Sequence, residues 1–126
     1  MHIVLAVLLL FVAVPAWAEW VKLGESSNGT TYIDPTTLRK DGDIRRIFVL
    51  FDRKKRDEKG ELSLRTLDEF DCKKKQSRPL HMSIFDGPMG SGKQLGASTA
   101  EGGHQPWRQI SPGSAGQATL DFVCSR

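Results

Sequence analysis

The 126-residue sequence has few of the side chains from which metal sites and nucleophilic active sites are built. It holds two cysteines, Cys72 and Cys124, and three histidines, of which only His81 and His104 lie beyond the N-terminal segment. The cysteines form no C-x-x-C pair, and neither histidine stands at ligand spacing from them, so no metal site is predicted. No nucleophile-elbow sequence surrounds any serine that could pair with these histidines. We therefore predict no catalytic residues, no cofactor and no enzymatic activity.

A stretch of glycines comes close to a nucleotide-binding pattern but lacks its last element. Gly87–Gln94, GPMGSGKQ, departs from G-x-x-x-x-G-K-[ST] at Gln94, which has no hydroxyl to hold magnesium. The residues that follow contain more glycines, where a P-loop requires a helix with an apolar stripe. We expect a turn between two strands, in which glycine permits positive φ angles, and no bound nucleotide.

The N-terminal segment is the only long apolar run. Ile3–Val14 is uninterrupted, and Ala16-Trp17-Ala18 follows as the small-x-small pattern that signal peptidase reads. At twelve residues the run is shorter than the roughly 20 that span a bilayer, which favours a cleaved signal over a retained anchor. We predict a signal peptide over residues 1–18 and a single exported domain over 19–126, with no transmembrane segment after cleavage. Position 19 is Glu, so the predicted cleavage site has no lipoprotein cysteine.

Export gives the two cysteines a specific interpretation. In an oxidising compartment an even pair is typical of a disulfide, which is favoured here over a metal pair or a reactive thiol. The cysteines lie 52 positions apart, and closing that loop would stabilise the fold by roughly 4 kcal/mol on the loop-entropy model.

The remaining pattern alternates between strand and turn signals and ends in a helical stripe. Ile47–Phe51 is a continuous apolar run that has to be covered on both faces, which indicates the centre of a sheet. Asp34-Pro35 predicts a single helical turn through Leu38, and Ser111-Pro112 predicts the start of the last helix. The predicted fold class is α+β: a meander of antiparallel strands with a C-terminal helix tethered to one face by Cys72–Cys124. Strands are predicted at 20–24, 30–33, 44–52, 61–72 and 77–85, with one short strand near Lys93–Leu95.

Charge is the only other candidate for function. The net charge is +3, and two basic clusters occur: Arg53–Arg56, and Lys73, Lys74 and Lys75 with Arg78. Such clusters either solvate loops or attract acidic partners through forces that salt weakens. Nucleic acid is not expected, because no aromatic stacking pattern accompanies the lysines. The acidic residues Asp68, Glu69 and Asp71, beside these runs, are interpreted as ion-pairing surface residues.

Six segments, in this order and spacing, resemble the surface-adhesin protein E family of exported bacterial proteins. They are WVKLG from Trp20, YIDPTTL from Tyr32, IFVLFD from Ile47, RTLDEFDC ending at Cys72, MGSG from Met89, and SPGSAGQATLDFVC ending at Cys124. The resemblance implies a sheet of about six strands with a tethered C-terminal helix, a non-enzymatic module that binds host extracellular-matrix or plasma proteins, and a homodimer. If matrix binding occurs, we expect the contact surface at Lys73, Lys74, Lys75 and Arg78. A periplasmic structural or accessory envelope protein, with an acidic ligand of its own, is the alternative.

Overall fold

The computed structural model describes residues 19–99 and 105–126. The predicted signal peptide and His104 lie outside these residues. The elements are β1 (Val21–Glu25), β2 (Gly29–Asp41), β3 (Ile44–Arg53), β4 (Ser63–Asp71), β5 (Gln76–Phe85), a short 3-10 turn (Pro88–Gly90), β6 (Gln94–Thr99), β7 (Arg108–Gln109) and α1 (Ala115–Cys124).

The strands form an antiparallel meander in the order β1-β2-β3-β4-β5-β6, and the two-residue β7 pairs with β5 beyond the end of β6. Tight turns connect the first three strands, which explains why sequential strands are neighbours. The predicted sheet of about six strands with a C-terminal helix is confirmed. The predicted strand near Lys93–Leu95 is longer than expected and runs as β6.

The central strand β3 is buried on both sides, as its apolar run predicts. Ile47 and Leu50 are both 0% exposed although their side chains lie on opposite faces of the sheet. Two different structures cover these faces. We call the side that packs on α1 the helix face and the other side the loop face.

On the helix face, α1 packs an apolar core against the middle strands. Leu120 and Val123 of the helix join Ile33, Ile47 and Phe70 of the sheet, all at most 3% exposed. The Cys72–Cys124 disulfide links the end of β4 to the last residue of α1, as predicted. The helix starts later than the sequence indicates, because the side chain of Ser114 accepts the hydrogen bond of Gln117 N and caps it in place of Ser111.

The predicted helical turn at Asp34–Leu38 is wrong. These residues belong to β2, whose pairing with β3 slips between Asp34 and Arg39. Asp34 Oδ1 does accept a hydrogen bond from Thr36 N, at 3.0 Å, which is the local turn that the Asp-Pro pattern detects. Pairing with the central strand extends β2 through this irregularity, so tertiary context overrides the local preference.

Across the described parts of the chain, we find no helix with the length and hydropathy that spanning a membrane requires.

Candidate binding surface

The β4–β5 turn presents three consecutive lysines, Lys73, Lys74 and Lys75, all of them exposed. Asp71 Oδ1 accepts hydrogen bonds from Lys73 N and Lys74 N, each at 3.0 Å, so the turn backbone is held by the residue before it. The disulfide at Cys72 fixes the same point to α1. The three ammonium groups therefore extend from a braced turn rather than from a long loop.

Lys75 has an unusual backbone conformation for a lysine. Its φ of 55° lies in the left-handed region, which costs a residue with a Cβ roughly 1–2 kcal/mol and which glycine or asparagine adopts more readily. A charged side chain at this position is thus kept at some cost to stability.

None of the three lysines forms a salt bridge with any residue in 19–99 or 105–126. The turn is also joined to the β2–β3 turn, because Cys72 N donates a hydrogen bond to the backbone oxygen of Asp43. The turn therefore combines three uncompensated cations with a fixed backbone, which suits it to contact with an acidic partner.

Arg78, the fourth predicted contact residue, has a different environment. Its guanidinium lies 4.0 Å from the ring centroid of Trp107 and 2.7 Å from Glu69 Oε1. Arg46 bonds the other oxygen of Glu69, also at 2.7 Å. The charge of Arg78 is therefore paired with Glu69 on the loop face. Of the four predicted contact residues, the three lysines are the ones whose charges are free to attract a partner.

Glu69 was expected at the surface and is instead 2% exposed. Burial works to raise the pKa of its carboxyl, but hydrogen bonds from Arg46 and Arg78 outweigh burial and hold the pKa below its ordinary value. Asp68, on the helix face beside Phe70, is half-buried, and the loss of solvent around its carboxyl raises its pKa to about 6. The surface placement of Glu69 is therefore wrong, although the ion pairing predicted for it is present, and only strand register could have indicated its partners.

The second basic cluster, Arg53–Arg56, lies at the opposite end of the sheet. Arg53 approaches Glu61 at 3.7 Å, and Arg56 donates to Asp86 O at 3.1 Å. The two clusters do not form one continuous surface, because β3 and β4 separate them along their whole lengths.

The glycine stretch Gly87–Lys93 folds onto the loop face, and its backbone N–H groups donate hydrogen bonds to other residues of the protein. Met89 N donates to Asp52 Oδ1 at 2.9 Å, Gly90 N to Ser63 Oγ at 2.9 Å, and Lys93 N to Asp86 Oδ1 at 2.7 Å. A phosphate cradle needs such amides free, and here two carboxylates occupy them. The loop covers Leu50 and Ser63, which explains its glycines in structural terms.

Within the described residues, the hydrogen bonds of the His81 ring are to hydroxyl groups. Nδ1 lies 2.8 Å from Thr99 Oγ1 and Nε2 lies 3.3 Å from Ser83 Oγ. Ser83 is 2% exposed, so substrate could not reach it as a nucleophile. No group of three or more potential metal ligands is found within the described ranges.

Comparison with known proteins gives one family and one fold. The family model described as surface-adhesin protein E matches residues 20–125. No curated protein matches the chain. Crystal form II of Haemophilus influenzae protein E superposes with a TM-score of 0.65 at 14% identity, covering 86% of this chain and 89% of that one. A second structure of that protein gives 0.64 at 14% identity, covering 86% of each chain. Protein E from non-typeable H. influenzae gives 0.59 at 14% identity, covering 86% and 77%.

Proposed function

Because the chain belongs to the surface-adhesin protein E family, we propose that it is an exported, non-enzymatic binding module for acidic segments of host matrix or plasma proteins. The contact is made by Lys73, Lys74 and Lys75. The observation that carries this proposal is a turn fixed by Asp71 and by the disulfide, on which three exposed ammonium groups form no salt bridge with the part of the chain that the structure describes.

Rigidity matters to this proposal because binding orders the groups that make the contact. A turn that is already fixed loses less conformational entropy on association than a flexible loop carrying the same charges. The attraction itself is long-range and is screened by salt, with a Debye length of about 8 Å at physiological ionic strength.

The test compares two variants with the same change of charge. One replaces Lys73, Lys74 and Lys75 by Gln; the control replaces Lys54, Lys55 and Lys59 by Gln at the far end of the sheet. Binding of the secreted protein to immobilised heparin and to poly-L-glutamate is measured over a range of salt concentrations. We expect the first variant to weaken binding about tenfold, equivalent to about 1.4 kcal/mol, and to flatten its salt dependence.

The control variant should stay close to wild type. Equal losses in both variants would mean that net charge, and not this turn, determines binding. Failure of the wild-type protein to bind either polyanion at low salt would contradict the proposal directly.

A periplasmic accessory protein is the second candidate, and Glu19 at the predicted cleavage site favours it, because that site offers no cysteine for a lipid anchor. Protease treatment of intact cells distinguishes the two: digestion supports surface display, and release only by osmotic shock supports the periplasm. The homodimer implied by the family stays a prediction, and light scattering of the secreted protein tests it.

A further inference from the structure

The middle of the loop face contains a small hollow of about 180 Å³ that the glycine loop does not cover. Its walls are Trp20, Asp34, Thr37, Phe48 and Arg65. Trp20 precedes β1, and the other residues lie on the adjoining strands β2, β3 and β4. The hollow lies on the opposite side of the sheet from α1, and it includes none of the lysines at the β4–β5 turn.

Arg65 is the unusual member of this group. Its guanidinium lies between two aromatic rings, 5.9 Å from the centroid of Phe48 and 5.4 Å from that of Phe85. Its Nε is buried and has no hydrogen-bond partner. Arg65 forms no salt bridge within residues 19–99 and 105–126.

Other arginines of the sheet show what Arg65 lacks. Arg46 and Arg78 share the carboxylate of Glu69, and Arg53, whose Nε is also buried without a partner, has Glu61 at 3.7 Å. A half-buried guanidinium without an acidic partner keeps donors that a carboxylate could accept from in the forked geometry that arginine favours. The rings of Phe48 and Phe85 flank the guanidinium and so limit the positions that it can take.

The walls of the hollow restrict the ligand further. Trp20 and Phe48 supply aromatic surface, and the volume admits about one ring or one short aliphatic chain. Asp34, 4% exposed, adds a negative charge to the wall, although its Oδ1 already accepts from Thr36. That charge opposes every anionic ligand, and it opposes most strongly those with two or more negative groups, so a carboxylate can bind only where Arg65 is nearer to it than Asp34.

We propose that this hollow binds a monocarboxylate that carries a single apolar or aromatic group, either as a free acid or as the last residue of a peptide chain. The carboxylate pairs with Arg65, and the apolar group lies against Trp20 and Phe48. This site is independent of the lysine turn and of the adhesin proposal.

The experiment uses the two indole N–H signals of the secreted protein in ¹H–¹⁵N spectra. Trp20 lines the hollow and Trp107 stacks on Arg78 elsewhere, so the second signal serves as an internal reference. The probes are 3-phenylpropionate and its uncharged analogue 3-phenylpropanamide. We expect the acid to shift the Trp20 signal saturably, with a Kd at or below about 1 mM, and the amide to bind at least about tenfold more weakly.

Two further arms locate the site and distinguish the sources of the carboxylate. Arg65→Gln should weaken the acid about tenfold, whereas Arg53→Gln, which removes an arginine at the end of the same sheet, should leave its binding unchanged. The peptide Ala-Ala-Phe with a free or an amidated C-terminus shows whether a chain end also fits. Equal binding of acid and amide would overturn the proposal, as would an unmoved Trp20 signal, and neither result depends on the folding of a variant.

Discussion

The two faces of the sheet are covered in different ways. On the helix face, α1 buries an apolar cluster and is tied to β4 through Cys72–Cys124. On the loop face, the cover is the Gly87–Lys93 loop and the stack of Trp107 on Arg78, held by hydrogen bonds and by ion pairs to Glu69. One face has a covalent support, and the other has none.

The buried residues differ in the same way. Those of the helix face are mainly aliphatic or aromatic, whereas the loop face buries Ser63, Glu69 and Ser83 beside Leu50 and Phe85. Apolar burial contributes most to stability, while buried polar groups stabilise only when each has its partner. The helix face therefore contributes most to the stability of the fold, and the loop face is where polar and charged side chains are available for binding.

Removing the disulfide that ties α1 to the helix face should have the largest effect on stability. For Cys72→Ala/Cys124→Ala we expect the free energy of unfolding to fall by about 4 kcal/mol, because the 52-residue loop is no longer closed in the unfolded chain. Urea denaturation of wild-type and variant protein measures this change. An unchanged midpoint would mean that apolar packing alone secures α1.

The free energy of unfolding should depend on pH through Asp68, which lies on the helix face. Burial raises the pKa of its carboxyl from 3.8 to about 6, so the folded state binds this proton more tightly than the unfolded state. The stabilising contribution is complete below about pH 4 and is lost as pH rises through about 6, by up to roughly 3 kcal/mol. Asp68→Asn should therefore match wild type near pH 4 and exceed its stability near pH 7. Urea midpoints measured at both pH values check this, and equal effects at both would exclude titration of Asp68 as the cause.

Sequence patterns predicted the helix face well, because the features that define it are short stretches of sequence and one pair of cysteines. The apolar run of β3, the stripe of α1 and an even pair of cysteines define it without reference to long-range register. The loop face was not predicted, since Glu69, Arg78 and Trp107 come together only through strand register and a distant return of the chain. Sequence could place the Lys73–Lys75 turn, but it could not show that Arg78 is engaged by Glu69.

Glycine substitutions test how closely the loop covers its face. Gly92 has a φ of 79°, and a Cβ there would collide with Asp86 Oδ1 and would lie 3.0 Å from Gly87 N. Gly42, in the β2–β3 turn, has a φ of 58° but nothing within 4 Å of a Cβ. Gly42→Ala should cost about 1–2 kcal/mol from conformation alone, and Gly92→Ala should cost more. Thermal unfolding measures both, and equal losses would show that the loop moves away easily.

Two serine substitutions, one on each face, should give the smallest difference in the free energy of unfolding. Ser63 Oγ donates to Gly87 O at 2.7 Å and accepts from Gly90 N at 2.9 Å, so Ser63→Ala leaves two loop groups without a partner. Ser114→Ala removes one cap bond from α1, at an exposed helix end that water can reach. We expect losses of about 1–2 kcal/mol for Ser63→Ala and about 1 kcal/mol for Ser114→Ala. Amide exchange separates them further: Ser63→Ala should speed exchange at Met89 and Gly90 while α1 stays protected, because no covalent link holds the loop to its face.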